Sequence, residues 1–502
     1  MKFDYRFAIA LATGLVIVIT TIILIVVNVG KDEGPPASKS RLSEDKSDSG
    51  SVNSGGKLTG ESQTTSPKSK ILPDTSGNGN IGSAPQQGVK VSSKFEQQAR
   101  TLLKEQIEFI GTCSPAFKDP EFATPFKEPQ ACCSSMLQHN SERFIQTPSY
   151  NPKMSATPEF LDRLHGVAWA ALAGDAFGAA VEFQKPDQVL KTFPLNRTPT
   201  EYDASIWAPN WKGLWTDDST AALCLAAAYV KSRFLDCKAH FESLRSWFTN
   251  QYMQVVNDFG PSTKSTLENR EISKAGSTNG CIMRMWPNVF FYSLHPIEDA
   301  VDASAASATL THAHTVCRDS SRLMAAIIWE LLHGAKKEDI MSPNFKQRNA
   351  ELWEQRKFAT GKGKSVADLL EDPSKANFPA GKQNYEADEA LRVALEAFHN
   401  TDNILDGFLY CVRKGVDTDT TATIYGQIAG AFYGKKHIAD KFPWMIDSLY
   451  ARPALSQLID AMTILAQDHY AELPSDMTIF DANGNVVSFN HATLDKSLQN
   501  RH

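Results

Sequence analysis

No block of lysine and arginine stands out in this 502-residue chain, whose formal net charge is only −6. A surface that tracks nucleic-acid phosphates would need such a block, so direct nucleic-acid binding is not expected. Cysteine is scarce, with eight in all. None of them has the spacing of a zinc site. Cys224, Cys237, Cys281, Cys317 and Cys411 are scattered beside apolar residues and read as inert core thiols. Cys113, Cys132 and Cys133 lie in a proline-containing stretch, where a disulfide would form only on an oxidising side of a membrane. The single sequon at Asn196 would suit the same side. No internal repeat is evident, and no segment alternates convincingly between apolar and polar residues in the manner of strands.

Long apolar runs are also few. The prominent one is FAIALATGLVIVITTIILIVVNV, from Phe7 to Val29. It carries no charge and has about the length that crosses a bilayer as a helix. Its apolar core exceeds that of a typical cleaved signal, and no A-x-A site follows, so residues 1–30 read as a retained single-pass membrane anchor. Lys2 and Arg6 flank one side, and Lys31, Lys39 and Arg41 the other, which leaves the orientation unassigned. Residues 31–93 are rich in Ser, Gly, Lys, Asp and Pro, too polar to repay ordering, and read as a flexible linker. Residues 94–157 form a Cys- and Pro-containing extension with a short helix from about Lys94 to Ile110.

From residue 158 to about 470 the pattern is helical nearly throughout. In LDRLHGVAWAALAGDAFGAAVEF, small residues recur at Gly166, Ala170, Gly174 and Gly178, one per turn on one face. GVDTDTTATIYGQIAGAFYG repeats the device at Gly426, Gly430 and Gly434. Glycine inside a helix costs about 1 kcal/mol relative to alanine, which makes sense where another backbone must come close. Asp175, Glu182 and the Asp417/Asp419 pair interrupt these stripes, so they predict two tightly packed central helices rather than membrane spans. A third helix is expected over Thr216–Phe234, another over Asp319–Gly334, and a helical hairpin over Asp388–Gly415 that turns at Asn400–Asp402. Residues 341–386 are polar and irregular and read as a long surface insertion. Residues 471–502 read as a tail with a small hairpin around ANGN.

Two acidic triplets stand at helix mouths: Thr216, Asp217 and Asp218 in WTDDST, and Asp417, Asp419 and Thr420 in DTDTT. Ordinary capping accounts for Asp and Thr at such places. Adjacent carboxylates at the entrance to a packed core are harder to explain that way, because like charges raise one another's pKa at a cost in energy. A divalent cation would reverse that interaction. Carboxylates and threonine hydroxyls are hard oxygen donors, which select Mg²⁺, Mn²⁺ or Ca²⁺ over zinc, and four carboxylates allow a pair of ions.

Taken together, GVAWAALAGDAFGAAVEF, WTDDSTAALCLA, STNGCIMRMWP, THAHTVCRDSSRLMAAI and GVDTDTTATIYGQIAGAFYG resemble the ADP-ribosylglycohydrolase family over roughly Glu159–Gln467. The resemblance implies an all-α, compact, orthogonal multi-helix bundle. It implies a hydrolase that uses two Mg²⁺ ions, with Mn²⁺ as a substitute, to cleave the glycosidic bond between ADP-ribose and a protein side chain or small acceptor. By position it implies Thr216, Asp217, Asp218, Asp417, Asp419 and Thr420 as metal ligands and Glu182, Asp218 and Asp417 as catalytic. It places Glu182, Asn279, Gly280 and His312 against substrate. Alone, Glu182 reads as a solvated helix-end carboxylate. His312 and His314 read as structural rather than catalytic, because nothing nearby orients either as a base. Arg284 either pairs with a pyrophosphate or ties helices together. Asp175 reads as a cap or brace. Val416 stands where many members carry a second glycine. The rival reading is a non-catalytic ADP-ribose or nucleotide binder on the same scaffold. A third reading is a membrane-tethered scaffold stabilised by Ca²⁺.

Overall fold

The computed structural model describes residues 156–269, 276–356, 358, 365–469, 471–481 and 484–488. The expected anchor at 1–30, the linker, the 94–110 helix and the Cys113, Cys132 and Cys133 cluster lie outside the described residues. Among the described residues no helix is long and apolar enough to cross a membrane.

Helices dominate. The chain opens with α1 (Pro158–Gly178) and α2 (Pro186–Thr192), then a two-stranded antiparallel hairpin, β1 (Ala204–Ser205) and β2 (Ala208–Lys212). There follow α3 (Asp217–Ser232), α4 (Cys237–Asn250), α5 (Pro261–Asn269), a 3₁₀ turn (Asn279–Cys281), α6 (Trp286–Phe291), α7 (Ile297–Thr309) and α8 (Thr315–Leu332). Short helices α9 (Lys337–Ile340), α10 (Phe345–Arg348), α11 (Ala350–Glu354) and α12 (Ser365–Glu371) lead to a second 3₁₀ turn (Pro373–Lys375). The chain continues through α13 (Ala387–Asn400), α14 (Ile404–Lys414), α15 (Thr418–Lys441), α16 (Trp444–Asp447) and α17 (Arg452–Gln467). Phe480 and Val486 form an isolated bridge at the expected turn around ANGN.

The centre of the molecule is the pairing of α1 with α15, and the small-residue stripes explain it. A Cβ added to Gly166 would lie 2.3 Å from the Gly430 carbonyl oxygen, and one on Gly430 would lie 2.2 Å from that of Gly166. Gly426 meets Ala170 and Gly174 meets Ala422 in the same way. The two backbones touch, which only glycine allows along such a seam. Gly434 departs from the expected stripe. Its backbone still meets Gly166, whose added Cβ would lie 2.8 Å from the Gly434 Cα, but its φ of 78° and ψ of 165° break the helical run and aim its own Cβ direction at the Asp162 carboxylate.

Thr157 and Pro158 start α1 as their chemistry suggests: the Thr157 hydroxyl accepts from Phe160 N–H at 3.2 Å, and proline occupies the first turn. Gly415 closes α14 at φ 77°, as the helical-hairpin reading expects. Cys224, Cys237, Cys281, Cys317 and Cys411 are all buried and unpaired by disulfides.

Two expectations change. The β1–β2 hairpin was not legible because the strands are short and Pro209 interrupts any alternation. The 341–386 segment is not a mere surface loop, since it buries Phe345, Trp353, Leu369 and Phe378 and extends a buried Asn384 into the interior.

Candidate functional site

The mouths of α3 and α15 meet. Thr216 is the residue before α3, and Asp417 the residue before α15, yet neither side chain caps its own helix. The capping explanation therefore fails at both ends. Thr216 Oγ1 lies 3.1 Å from Asp419 Oδ2 and 3.3 Å from Asp218 Oδ2, and Thr420 Oγ1 lies 3.4 Å from the same Asp218 oxygen. Residues about two hundred positions apart in sequence thus form one oxygen-lined cluster.

Neighbouring side chains hold each half in place. Asp175, buried near the end of α1, does the capping that Thr216 does not. Its Oδ1 accepts from Thr216 N–H at 2.8 Å and from the Thr216 hydroxyl at 2.9 Å, and its Oδ2 accepts from Ser219 N–H at 2.8 Å. It is a brace, as expected, although for α3 rather than for its own helix. On the other side, Asn279 Nδ2 donates to Asp417 Oδ2 at 2.7 Å. Asn384 Oδ1 accepts from Asp417 N–H at 3.0 Å, and its amide reaches the Gly415 and Asp417 carbonyls at 3.3 and 3.4 Å. The Thr418 hydroxyl donates to Gly178 O at 2.8 Å, which ties this mouth to the end of α1.

Glu182 lies four residues beyond the end of α1 and is buried, not a solvated helix-end carboxylate. Trp207 Nε1, from the hairpin corner, donates to its Oε2 at 2.5 Å. Burial first, and then the charges of Asp417 and Asp258, push the Glu182 carboxyl up to about 9. Burial also raises Asp217, Asp218 and Asp419 well above the usual carboxylate range. Asp417 is raised by burial too, against the lowering effect of its bond from Asn279. The charges that act on Asp218 and Asp419 from nearby are carboxylates.

This crowding suits cations. The Thr216 hydroxyl has one proton to give, yet three carboxylate oxygens lie within 3.3 Å of it. Asp218 Oδ1 is buried without a hydrogen-bond partner. Among the described residues no group of three His, Cys, Asp or Glu side chains is already set to hold a metal ion. The hydroxyls and carboxylates turn toward one another instead. The donor set is nevertheless all oxygen and fits hard divalent cations.

The remaining expected residues support this centre. Gly280 packs against His312, with space for a Cβ only 3.1 Å from the imidazole Cε1. The His312 nitrogens face the hydroxyls of Thr311 at 2.7 Å and Thr278 at 3.0 Å, so the ring braces the turn that carries Asn279. Burial drives its pKa well down, which keeps it neutral. His314 caps α8 by accepting from Val316 N–H at 3.2 Å. Arg284 resolves as a tie. Fully buried, it donates to Gly280 O, Ser307 O and Thr311 Oγ1 at 2.6, 3.3 and 2.7 Å.

Asp258, Gly260, Asn384, Tyr385 and Trp207 escaped the sequence reading. Asp258 shares a carboxyl–carboxyl hydrogen bond with Asp217 and is pushed up to about 6, chiefly by burial. Gly260 N–H donates to Asp217 Oδ2 at 2.9 Å, which brings that loop to the cluster. Tyr385 feels the charges of Asp417, Glu182 and Asp419. A lone Asp in a loop, a Tyr in a polar stretch and a Trp on a short hairpin carry no spacing signal.

Val416 and Phe183 both adopt left-handed backbone, at φ 69° and 60°. Phe183 N–H donates to Val416 O at 2.6 Å, and Val416 N–H donates to Gln184 O at 2.8 Å. Non-glycine residues there cost about 1–3 kcal/mol each, and the strain is located between Glu182 and Asp417.

The family model described as ADP-ribosylglycohydrolase matches residues 156–472. An "ADP-ribosylarginine hydrolase Tri1" of Serratia proteamaculans is 27% identical over 68% of this chain and 89% of its own length. A protein of the same name from Pseudomonas putida is 29% identical over 55% of this chain and 72% of its own. The "ADP-ribosyl-[dinitrogen reductase] glycohydrolase" of Rhodospirillum rubrum is 24% identical over 62% of this chain and 98% of its own.

Proposed function

The chain belongs to the ADP-ribosylglycohydrolase family, and on that premise we propose that it hydrolyses the N-glycosidic bond joining ADP-ribose to arginine side chains of proteins. The observation that carries this reading is the meeting of the two helix mouths, with Thr216 Oγ1 and Asp419 Oδ2 at 3.1 Å. The arginine acceptor is supported by the relatives named ADP-ribosylarginine hydrolase.

Thr216, Asp217 and Asp218 would hold one side of a pair of Mg²⁺ ions, with Mn²⁺ as a substitute, and Asp417, Asp419 and Thr420 the other. When bound, such ions supply Lewis acidity and a template for a water and the ribose diol. The protein's own part is positioning and proton transfer. Asp175 holds Thr216 by its backbone and hydroxyl. Asn279 and Asn384 fix the direction of Asp417. Glu182, oriented by Trp207, would take a proton from the attacking water when in its ionised form. The bond between the ribose anomeric carbon and the guanidine nitrogen breaks, the water oxygen replaces the nitrogen, and the guanidine leaves with a proton. The proton that Glu182 takes from the water balances the one that the guanidine carries away.

The test is a panel of arginine-linked and serine-linked ADP-ribosyl proteins and O-acetyl-ADP-ribose, each with Mg²⁺ and with EDTA. Turnover of the arginine-linked substrate, lost with EDTA and in Asp417→Ala, is the expected result. Turnover that survives EDTA removes the cations from the reading. Affinity for ADP-ribose without turnover of any substrate returns the chain to the binder class. We further propose that residues 7–29 anchor the chain in a membrane, which sedimentation of the full chain with membranes, lost when 7–29 is deleted, would test.

A further inference from the structure

Two exposed aromatic rings stand beside Glu182, and the chemistry above uses neither ring face. Phe183 is 55% exposed and Trp207 is 36% exposed. Their rings meet edge to face with centroids 6.2 Å apart. Trp207 is held in place at both ends. Its indole N–H is bound to Glu182, and the neighbouring Ile206 N–H donates to Ala179 O at 3.0 Å, which fastens the hairpin corner to the end of α1.

Phe183 is held in a left-handed conformation that is rare for a bulky residue, locked by its N–H bond to Val416 O and by the Val416 N–H bond to the next residue, Gln184. Glycine would adopt that backbone freely. The strain brings no core packing in return, because the ring points to solvent. Strain kept at an exposed side chain next to a reactive centre points to use rather than to stability.

The charged groups that weigh most on Glu182 are Asp417, Asp258 and Asp217, all acidic. Exposed π faces beside carboxylates suit a planar cation, which the ring quadrupole attracts and a carboxylate can fork. A neutral adenine would gain the stacking but not the attraction of a cation to the ring face.

We propose that Phe183 and Trp207 form the acceptor platform, on which the guanidinium of the target arginine stacks with Glu182 at its edge. This rests on the arginine reading above.

The test uses Phe183→Gly and Phe183→Leu in the full chain. Phe183→Gly relieves the backbone, so its melting temperature should equal or exceed that of the wild type, which separates platform loss from misfolding. KM for the arginine-linked substrate should rise about tenfold in both variants with kcat within about twofold, the size of a partly desolvated cation–π contact. Agmatine, as a guanidinium probe, should inhibit the wild type and do so about tenfold more weakly in the variants. If inhibition by ADP-ribose alone, which has no acceptor, weakens to the same degree, the rings serve the nucleotide and the platform is overturned. If the wild type cleaves arginine-linked substrate and both variants keep its KM, the platform alone falls. If the wild type does not cleave it, the arginine reading and the platform fall together.

Discussion

Gly178 and Asp419 touch backbone to backbone: a methyl group on Gly178 would stand 2.4 Å from the Asp419 Cα and 2.4 Å from the Thr418 carbonyl oxygen. The last turn of α1 therefore sets where the second acidic mouth lies, and the packing of the core and the position of a carboxylate are one arrangement.

Gly178→Ala should push α15 away at its mouth. The expected cost is about 1–3 kcal/mol from overpacking, read as a lower melting temperature. Activity should fall further than in Gly166→Ala, whose clash is with Gly430 and Gly434 at the far end of the seam. Equal losses in the two variants would disconnect the seam from the site.

Stability without divalent cations should fall as pH rises. The carboxyls of Asp175 and Asp258 are raised to about 6 and that of Glu182 to about 9, chiefly by burial. A raised carboxyl favours the protonated folded state, so its contribution is complete below the unfolded value of about 4. It is lost as pH climbs through the folded values, between about 4 and 9. Melting curves in EDTA from pH 5 to pH 9 should show that decline. Added Mg²⁺ should raise the melting temperature most at the alkaline end, where cations no longer compete with protons. A curve that is flat in EDTA contradicts the cluster's electrostatics.

Trp207→Phe keeps a ring but removes the N–H that stabilises ionised Glu182. Without that bond the Glu182 carboxyl should rise further. The acidic limb of the pH profile of kcat/KM should therefore move to higher pH, by less than one pH unit if other contacts compensate. A limb that stays in place would mean that Glu182 does not govern it.

Arg284 serves structure. Arg284→Met should cost about 2–3 kcal/mol, the range for buried bonds from a charged donor, through loss of its bonds to Gly280, Ser307 and Thr311. The folded fraction should keep its affinity for ADP-ribose within about threefold by calorimetry. A pyrophosphate-binding arginine would not allow that.

How much of this was legible depended on repetition. Glycines spaced one per turn announced the α1–α15 seam, because only close backbones reward that pattern. Gly434 matched the spacing but not the conformation, since it lies where the helical run breaks. The paired triplets marked both mouths because two helix starts shared one unusual composition. Asp258, Tyr385 and Asn384 reach the centre through tertiary placement alone, and single residues in loops leave no periodic trace. Capping was a fair expectation for Thr216 and Asp417. At Thr216 it failed because Asp175, from another helix, accepts from the Thr216 and Ser219 amides and holds the threonine hydroxyl as well.

Asn384 grips both the backbone N–H and the carbonyl of Asp417 from within a stretch that composition alone would class as ornament. That stretch is a splint. A shortened enzyme that dispensed with it would need to supply another amide at the same spot, or the α15 mouth would swing loose while the glycine seam beneath it stayed closed.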